Sequence, residues 1–410
     1  MRIIVDARKA ADYGIGTYIR QLGAACARLA PEDEFVFLGD VAAGDGGRRA
    51  LDNEEDREAQ GDREPAGTAP DREAGGGRQP FETDNGAISL SGPNIRWEPN
   101  PSANYGVTEL FSVSLQVRKL HGDVFHAPHY IYPVMLPCPG VVTVHDCIHL
   151  RFPGQLPNPA AALYAKVMMR RAVRAADRVL VGSQATRADL IELVEADPAK
   201  IEVIPHGCDP FYLATVDEEE LAGIRRQLGL ERPFLLSVSN IKPHKNLKRL
   251  LQAFAKLQGN YPELDLLVAG GDFSGHPELQ ALCAELGLED RVRSLGFLPK
   301  HELRGLYHLA EVFVFPSLYE GFGLPPLEAM ACGTAVVASR SSAIPEVVGH
   351  SGLLVNPFRV QAIAEAVRSL LDNDNLRRAL GAQGRSHARQ FDWNESARRV
   401  LEVYRRVVSP

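Results

Sequence analysis

The chain has 410 residues, too many for one compact core, so two domains are expected. Its 45% hydrophobic and 24% charged residues are ordinary for a globular protein, and a net charge of −7 excludes a general nucleic-acid binder, which needs a basic face. The six cysteines form no CxxC pair and no cluster with His at zinc spacing, which excludes a zinc module and suits small buried hydrophobes in a reducing compartment.

Arg2 to Val5 predicts a short buried strand, followed by a turn with Gly14 and Gly16 and an amphipathic helix from about Thr17 to Leu29. A strand, a glycine loop and a helix open a Rossmann-like half. A lone G-x-G is a weak signal, since position 19 is Ile and the dinucleotide pattern is not completed; a plain tight turn is the alternative. Phe35 to Leu38 predicts the next strand. The apolar run in MRIIVDAR is too short for a signal peptide, and no run of about 18 apolar residues predicts a membrane span. A cytoplasmic protein is expected, at most held on the inner face of the membrane.

From about 43 to 92 the composition changes to Gly, Asp, Glu, Arg and Pro. Ala43 to Asp84 holds 12 Asp/Glu and 6 Arg, which is most of the chain's net charge. A segment with so few large apolar residues cannot offset its ordering entropy, so a disordered surface insertion is expected.

After Asn94 strands and helices alternate again. Strands are expected at Val124–His126, Val141–His145, Arg178–Gly182 and Ile201–Ile204, with helices at about Ala160–Ala176 and from Thr186. A second run gives Phe234–Val238, Asp265–Ala269, Val292–Leu295, Val312–Phe315 and Ala335–Ala338, and Trp393 to Val408 is a last amphipathic helix. Apolar strands alternating with helices predict parallel sheets covered on both faces. The boundary falls near Pro205 to Leu213, giving domains 1–207 and 208–390 and a terminal helix at 391–410.

Glu320-Gly-Phe-Gly-Leu-Pro-Pro-Leu-Glu328 follows the strand Val312–Phe315 and runs into a helix. Gly321 and Gly323 let the backbone turn tightly and approach a ligand, with Phe322 and Leu324 beside them. The helix N-terminus offers N–H groups and a positive dipole end suited to a diphosphate. Glu320 sits on the loop and Glu328 in the first helical turn, where the two carboxylates can hold two hydroxyl-bearing parts of one ligand. Lys242-Pro-His-Lys245-Asn246 follows Phe234–Val238, and a lysine at the mouth of a parallel strand can neutralise a leaving diphosphate. Thr143-Val-His145-Asp146 ends a strand of the first domain, where carboxyl ends line the ligand crevice. His126 and His129 stand at the neighbouring strand end. For His145, His126 and His129 a capping or core role is the alternative. Asp372-Asn-Asp374 looks like a metal-binding D-x-D but falls between helices, where a cap is expected and no metal. Arg170, Arg174 and Arg178 share a helical spacing that could touch anionic lipid headgroups or simply face solvent.

The stretch 312–349, with LLSVSNIKPHKNLKRLLQAF at 235–254, SLGFLPKHELRGLYHLAEV at 294–312 and VGSQATRADL and VIPHGCD at 181–209, resembles the family 4 retaining glycosyltransferases. It is most similar to the bacterial mannosyltransferases of surface polysaccharide assembly. The resemblance implies a GT-B fold: two Rossmann-like doubly wound domains facing a cleft, the last helix returning to the first domain. It implies hexosyl transfer from a nucleotide sugar, GDP-mannose in that subgroup, to a glycan or lipid-linked glycan, without a metal or other cofactor. Glu320, His145 and Lys245 become the catalytic set. Gly14, Gly16, Asp146, Asn240, Lys245, Glu320, Gly321, Phe322, Gly323, Leu324 and Glu328 become the donor site, and His126 and His129 the acceptor side. Asn240 departs from the pattern, since many relatives carry an arginine there. The rival readings are a nucleotide-sugar epimerase on the same scaffold and a non-catalytic nucleotide-sugar-binding module.

Overall fold

The computed structural model describes residues 1–12, 14–39, 90–100, 109–156 and 158–409. Seven parallel strands form the first sheet: β1 (Arg2–Asp6), β2 (Glu34–Leu38), β3 (Ile95–Glu98), β4 (Val124–Ala127), β5 (Gly140–Val144), β6 (Arg178–Val181) and β7 (Ile201–Val203), in the order β3-β2-β1-β4-β5-β6-β7. Six form the second: β8 (Phe234–Val238), β9 (Asp265–Ala269), β10 (Val292–Ser294), β11 (Val312–Phe315), β12 (Val336–Ser339) and β13 (Leu353–Val355), in the order β10-β9-β8-β11-β12-β13. The α/β GT-B expectation of two Rossmann-like domains holds. β3 and β13 were not anticipated. Both are edge strands, one of mixed polarity and one only three residues long, so neither shows the apolar run that betrays a central strand.

Successive side chains of each strand enter opposite cores. Ile3, Phe35 and Phe37 pack under the helix Ile15–Leu29, while Ile4, Val36 and Phe125 pack under the helices Glu109–Leu120 and Pro159–Ala175. The helix Trp393–Val408 buries Trp393, Val400, Leu401 and Tyr404 in the first of these cores. The chain therefore crosses between the sheets twice. The crossings touch: the Cys208 amide donates to the Phe391 carbonyl at 2.8 Å, and Ser396 Oγ to the Pro205 carbonyl at 2.6 Å.

The insertion expected at 43–92 lies, up to residue 89, outside the described residues. Leu90 is already core, and its carbonyl accepts from Trp97 Nε1 at 2.9 Å, so the fold resumes before Asn94. The basic helix needs correction. It ends at Ala175, and Arg178 stands on β6, paired with Glu202. Arg170 and Arg174 pair with Glu195, so all three arginines of the expected face serve the fold's own contacts, and Arg171 beside them donates to the Tyr132 carbonyl. Among the described residues no helix is long and apolar enough to cross a membrane.

Candidate active site

In each sheet the strand order reverses at one place, between β1 and β4 in the first and between β8 and β11 in the second. Connections leaving adjacent strands in opposite directions open a crevice there. In the second sheet the loop after β8 carries Lys245 and the loop after β11 carries Glu320, so residues 75 apart in sequence meet. Lys245 Nζ donates to Glu320 Oε1 at 2.7 Å, and Ser317 Oγ donates to the same oxygen at 2.6 Å. Both charged side chains retain 15% of their exposure. Asn240, at the position that often holds arginine in relatives, is exposed.

Past Glu320 the chain turns through Gly323, at φ 113°, into the helix Leu324–Ala331. Pro325 and Pro326 fill its second and third positions, so two of the first four residues bring no N–H. The helix N-terminus is thus a poorer set of donors than expected, and an anion here would lean on loop amides and on Lys245. Glu328 is the fifth helical residue rather than one of the first turn, because the helix begins at Leu324. It is half-buried. Its Oε2 accepts from Tyr307 Oη at 2.9 Å. Burial raises its pKa to about 7; the Tyr307 hydrogen bond opposes that rise and the nearby Asp209 carboxylate adds to it.

The first domain meets this loop end-on. A Cβ on Gly321 would lie 1.9 Å from the His145 carbonyl oxygen, so only glycine allows the approach. Ser183 Oγ and Thr186 Oγ1 donate to the Gly321 carbonyl at 2.8 and 3.2 Å. His145 Nε2 lies 2.9 Å from the Pro128 carbonyl, which fixes the proton on Nε2 and leaves Nδ1 an acceptor. Burial lowers its pKa to about 4, so it is a neutral imidazole near pH 7. Asp146 Oδ1 accepts from the Ile148 amide at 2.9 Å, and burial raises its pKa. Gly14 caps the helix Ile15–Leu29, which starts two residues before the expected Thr17, and Gly16 lies against the Ala10 carbonyl, where a Cβ would come within 2.5 Å.

Both acceptor-side candidates are buried. His126 is 1% exposed, with Nδ1 2.6 Å from Tyr404 Oη and Nε2 2.7 Å from Thr143 Oγ1. Thr143 Oγ1 in turn lies 2.9 Å from Tyr18 Oη, so His126 is the centre of a buried chain tying the last helix to the sheet. His129 is 5% exposed; its Nδ1 accepts from the Ile131 amide and its Nε2 lies 3.5 Å from Asp6 Oδ2. In the D-x-D decoy the cap is Asn373, which accepts from the Leu376 amide; Asp372 accepts from Tyr261 Oη, and Asp374 pairs with Arg377 at 2.9 Å.

Several residues around the loop were missed. Tyr319 Oη donates to Asp189 Oδ2 at 2.6 Å and accepts from the Cys147 amide at 3.0 Å, crossing from one domain to the other. His206 is 6% exposed and sits among Tyr18, His145, Phe322 and Trp393, its ring stacked on Trp393 at 5.7 Å. Ser183 and Thr186 lie in the VGSQATRADL stretch, and their local signal is S-x-x-T at a helix start, where Ser183 Oγ accepts from the Thr186 amide at 3.1 Å.

Two parallel-sheet domains in contact across their carboxyl ends, with a cation, two carboxylates and a glycine loop at one switch point, define the class: a GT-B enzyme. Residues 223–387 match the family described as Glycosyl transferases group 1, and residues 67–210 match Glycosyltransferase Family 4. The chain is 30% identical over 287 residues to the O-antigen chain mannosyltransferase B of Escherichia coli, covering 69% of this chain and 74% of that one. It is 36% identical over 273 residues to a D-inositol 3-phosphate glycosyltransferase of Kineococcus radiotolerans, spanning 62% of each. Among solved structures it is similar to Anabaena HepE in complex with UDP and glucose, with TM-score 0.71, 20% identity and coverage of 99% of this chain and 100% of that one. A glycosyltransferase from Rickettsia africae gives TM-score 0.70 at 17% identity, covering 100% and 98%. The chain belongs to family 4 of the glycosyltransferases.

Proposed function

We propose that the protein moves a hexose, mannose, from GDP-mannose to a glycan or lipid-linked glycan with retention of configuration and without a metal. The observation that carries the chemistry is the pairing of Lys245 with Glu320 at the switch point. Breaking the bond from the sugar to the diphosphate leaves negative charge on the phosphate and positive charge on the sugar. Lys245 can turn from Glu320 to the departing phosphate, which frees the Glu320 carboxylate for the positive sugar. The Gly321–Leu324 backbone amides are assigned to the same phosphate, and Glu328, one helical turn on, to the ribose hydroxyls. His145, neutral with Nδ1 as an acceptor, can take a hydrogen bond from a sugar hydroxyl but carries no charge to donate.

Mannose is supported by the Escherichia coli mannosyltransferase relative, whereas HepE, a fold neighbour only, is described with UDP and glucose. A cytoplasmic setting with peripheral contact to an anionic membrane rests on Lys166 beside the exposed Leu163 and Val167. The test incubates the protein with GDP-mannose or UDP-glucose, with and without a lipid-linked glycan, and follows free nucleoside diphosphate and the anomeric configuration of the product. Acceptor-dependent release from GDP-mannose with a retained anomer is expected. Conversion of the donor without acceptor would favour the epimerase, and binding without conversion the non-catalytic module.

A further inference from the structure

The helix Gln184–Val194 of the first domain starts with amides that need partners from outside it. Ser183 serves the Thr186 amide. The amides of Gln184 and Ala185 are served by the other domain: they donate to Oε2 and Oε1 of Glu346 at 2.7 and 2.8 Å. Glu346 lies on the helix Ile344–Val348, just beyond β12. The same turn holds the Gly321 carbonyl through Ser183 and Thr186. One helical turn of the first domain therefore grips the second at two points, one on the Glu320–Leu324 loop and one on the helix that follows Ser342, whose Oγ accepts from the Glu320 amide at 3.2 Å.

We infer that Glu346 is a positioning residue for glycosyl transfer: its carboxylate docks on the positive end of the Gln184–Val194 helix and holds the cleft closed, with the loop set against His145 and Asp146. Three features argue for a closing contact rather than a fixed structural one. A carboxylate taking two backbone amides at a helix N-terminus gains from charge and dipole together. Glu346 is nonetheless exposed, so neither making nor breaking the contact strands a buried charge. Both of its side-chain partners lie across the cleft, in the domain that must separate for substrates to enter and products to leave.

The test follows the contact in the protein alone, so it stands or falls apart from the choice of donor. Spin labels are placed at Ala199→Cys and Lys256→Cys, both exposed and one in each domain, in a Cys138→Ser background. Their distance distribution is compared for Glu346, Glu346→Gln and Glu346→Ala. The closed-to-open ratio should fall about threefold to tenfold in Glu346→Ala and by less in Glu346→Gln, which keeps an acceptor but loses the charge. Added salt should open the unsubstituted protein and leave Glu346→Ala unmoved. With donor and acceptor, Glu346→Ala should lower kcat/KM and keep most of kcat, because substrates bridging the domains restore closure. The melting midpoint should not change. An unchanged distance distribution overturns the inference, as does a lowered melting midpoint, which would make Glu346 a structural residue.

Discussion

Lys245 Nζ lies 2.7 Å from Glu320 Oε1, so the two charges assigned to opposite ends of a breaking glycosidic bond neutralise each other in this structure. The pairing keeps each half-buried charge from being left alone. It also means that removing either one acts on the other.

Lys245→Ala should weaken binding of the sugar nucleotide and of the free nucleoside diphosphate by about tenfold to a hundredfold, the worth of one charge-assisted contact. The exposed Asn240 brings no cation to compensate. Nucleoside without phosphate should bind as before. Calorimetry with the two ligands checks this; equal diphosphate affinities would make Lys245 a partner of Glu320 and nothing more.

Glu320→Ala should leave the fold intact, since the residue sits on a loop and its loss opens no core. Transfer should fall well over tenfold, because a charge contact made in the transition state is worth several kcal/mol. Turnover above about a tenth of the unsubstituted protein's, at an unchanged melting midpoint, would remove Glu320 from the reaction.

Glu328 gives a pH signature. Its pKa, raised to about 7 mainly by burial, leaves the carboxyl protonated below neutrality and ionised above it. If it holds the ribose hydroxyls as a carboxylate, donor affinity should rise as pH climbs through about 7, and Glu328→Gln should flatten that rise. His145, held near 4, does not titrate in this window. Stability moves the other way. A carboxyl whose folded pKa is raised from 4.5 contributes fully below 4.5 and loses that contribution as pH rises towards 7, so Glu328→Gln should gain on the unsubstituted protein over that range and then level off. A donor affinity whose pH dependence is the same in both proteins refutes the ribose assignment.

Activity should persist in excess EDTA, because Lys245 and the loop amides are assigned the phosphate charge, and Asp372 and Asp374 are held by Tyr261 and Arg377. Loss of turnover that Mg²⁺ or Mn²⁺ restores would replace this account.

How much of this was legible depends on range. The strand ends that carry Lys245, Glu320 and His145 could be read because parallel buried strands show as apolar runs, and their carboxyl ends are where ligands sit. The pairing of Lys245 with Glu320 could not, since it depends on β8 and β11 being neighbours. The partners that bury His126, Thr143 and Tyr404, could not be read either, since they come from 17 and 278 residues away. Glu346 and Tyr319 were missed for the same reason: what they do is set by the opposite domain.

Gly321 is the most demanding position at the junction, and its substitution tests whether the closed contact is the working state. A Cβ there would sit 1.9 Å from the His145 carbonyl oxygen, which is backbone and cannot swing aside. Gly321→Ala must therefore shift the loop or part the domains, and either strains the bonds from Ser183 and Thr186 to the Gly321 carbonyl. Each sheet keeps its own core, so the melting midpoint should change little. Free nucleoside diphosphate, assigned to the second domain, should bind almost normally. Transfer needs the loop set against His145 and Asp146 to within a fraction of an ångström, and a displacement of about 1 Å can cost on the order of a hundredfold. Steady-state kinetics, calorimetry and small-angle scattering on the variant separate these quantities. Near-normal turnover in Gly321→Ala would mean that the reaction proceeds with the two domains further apart than this structure places them.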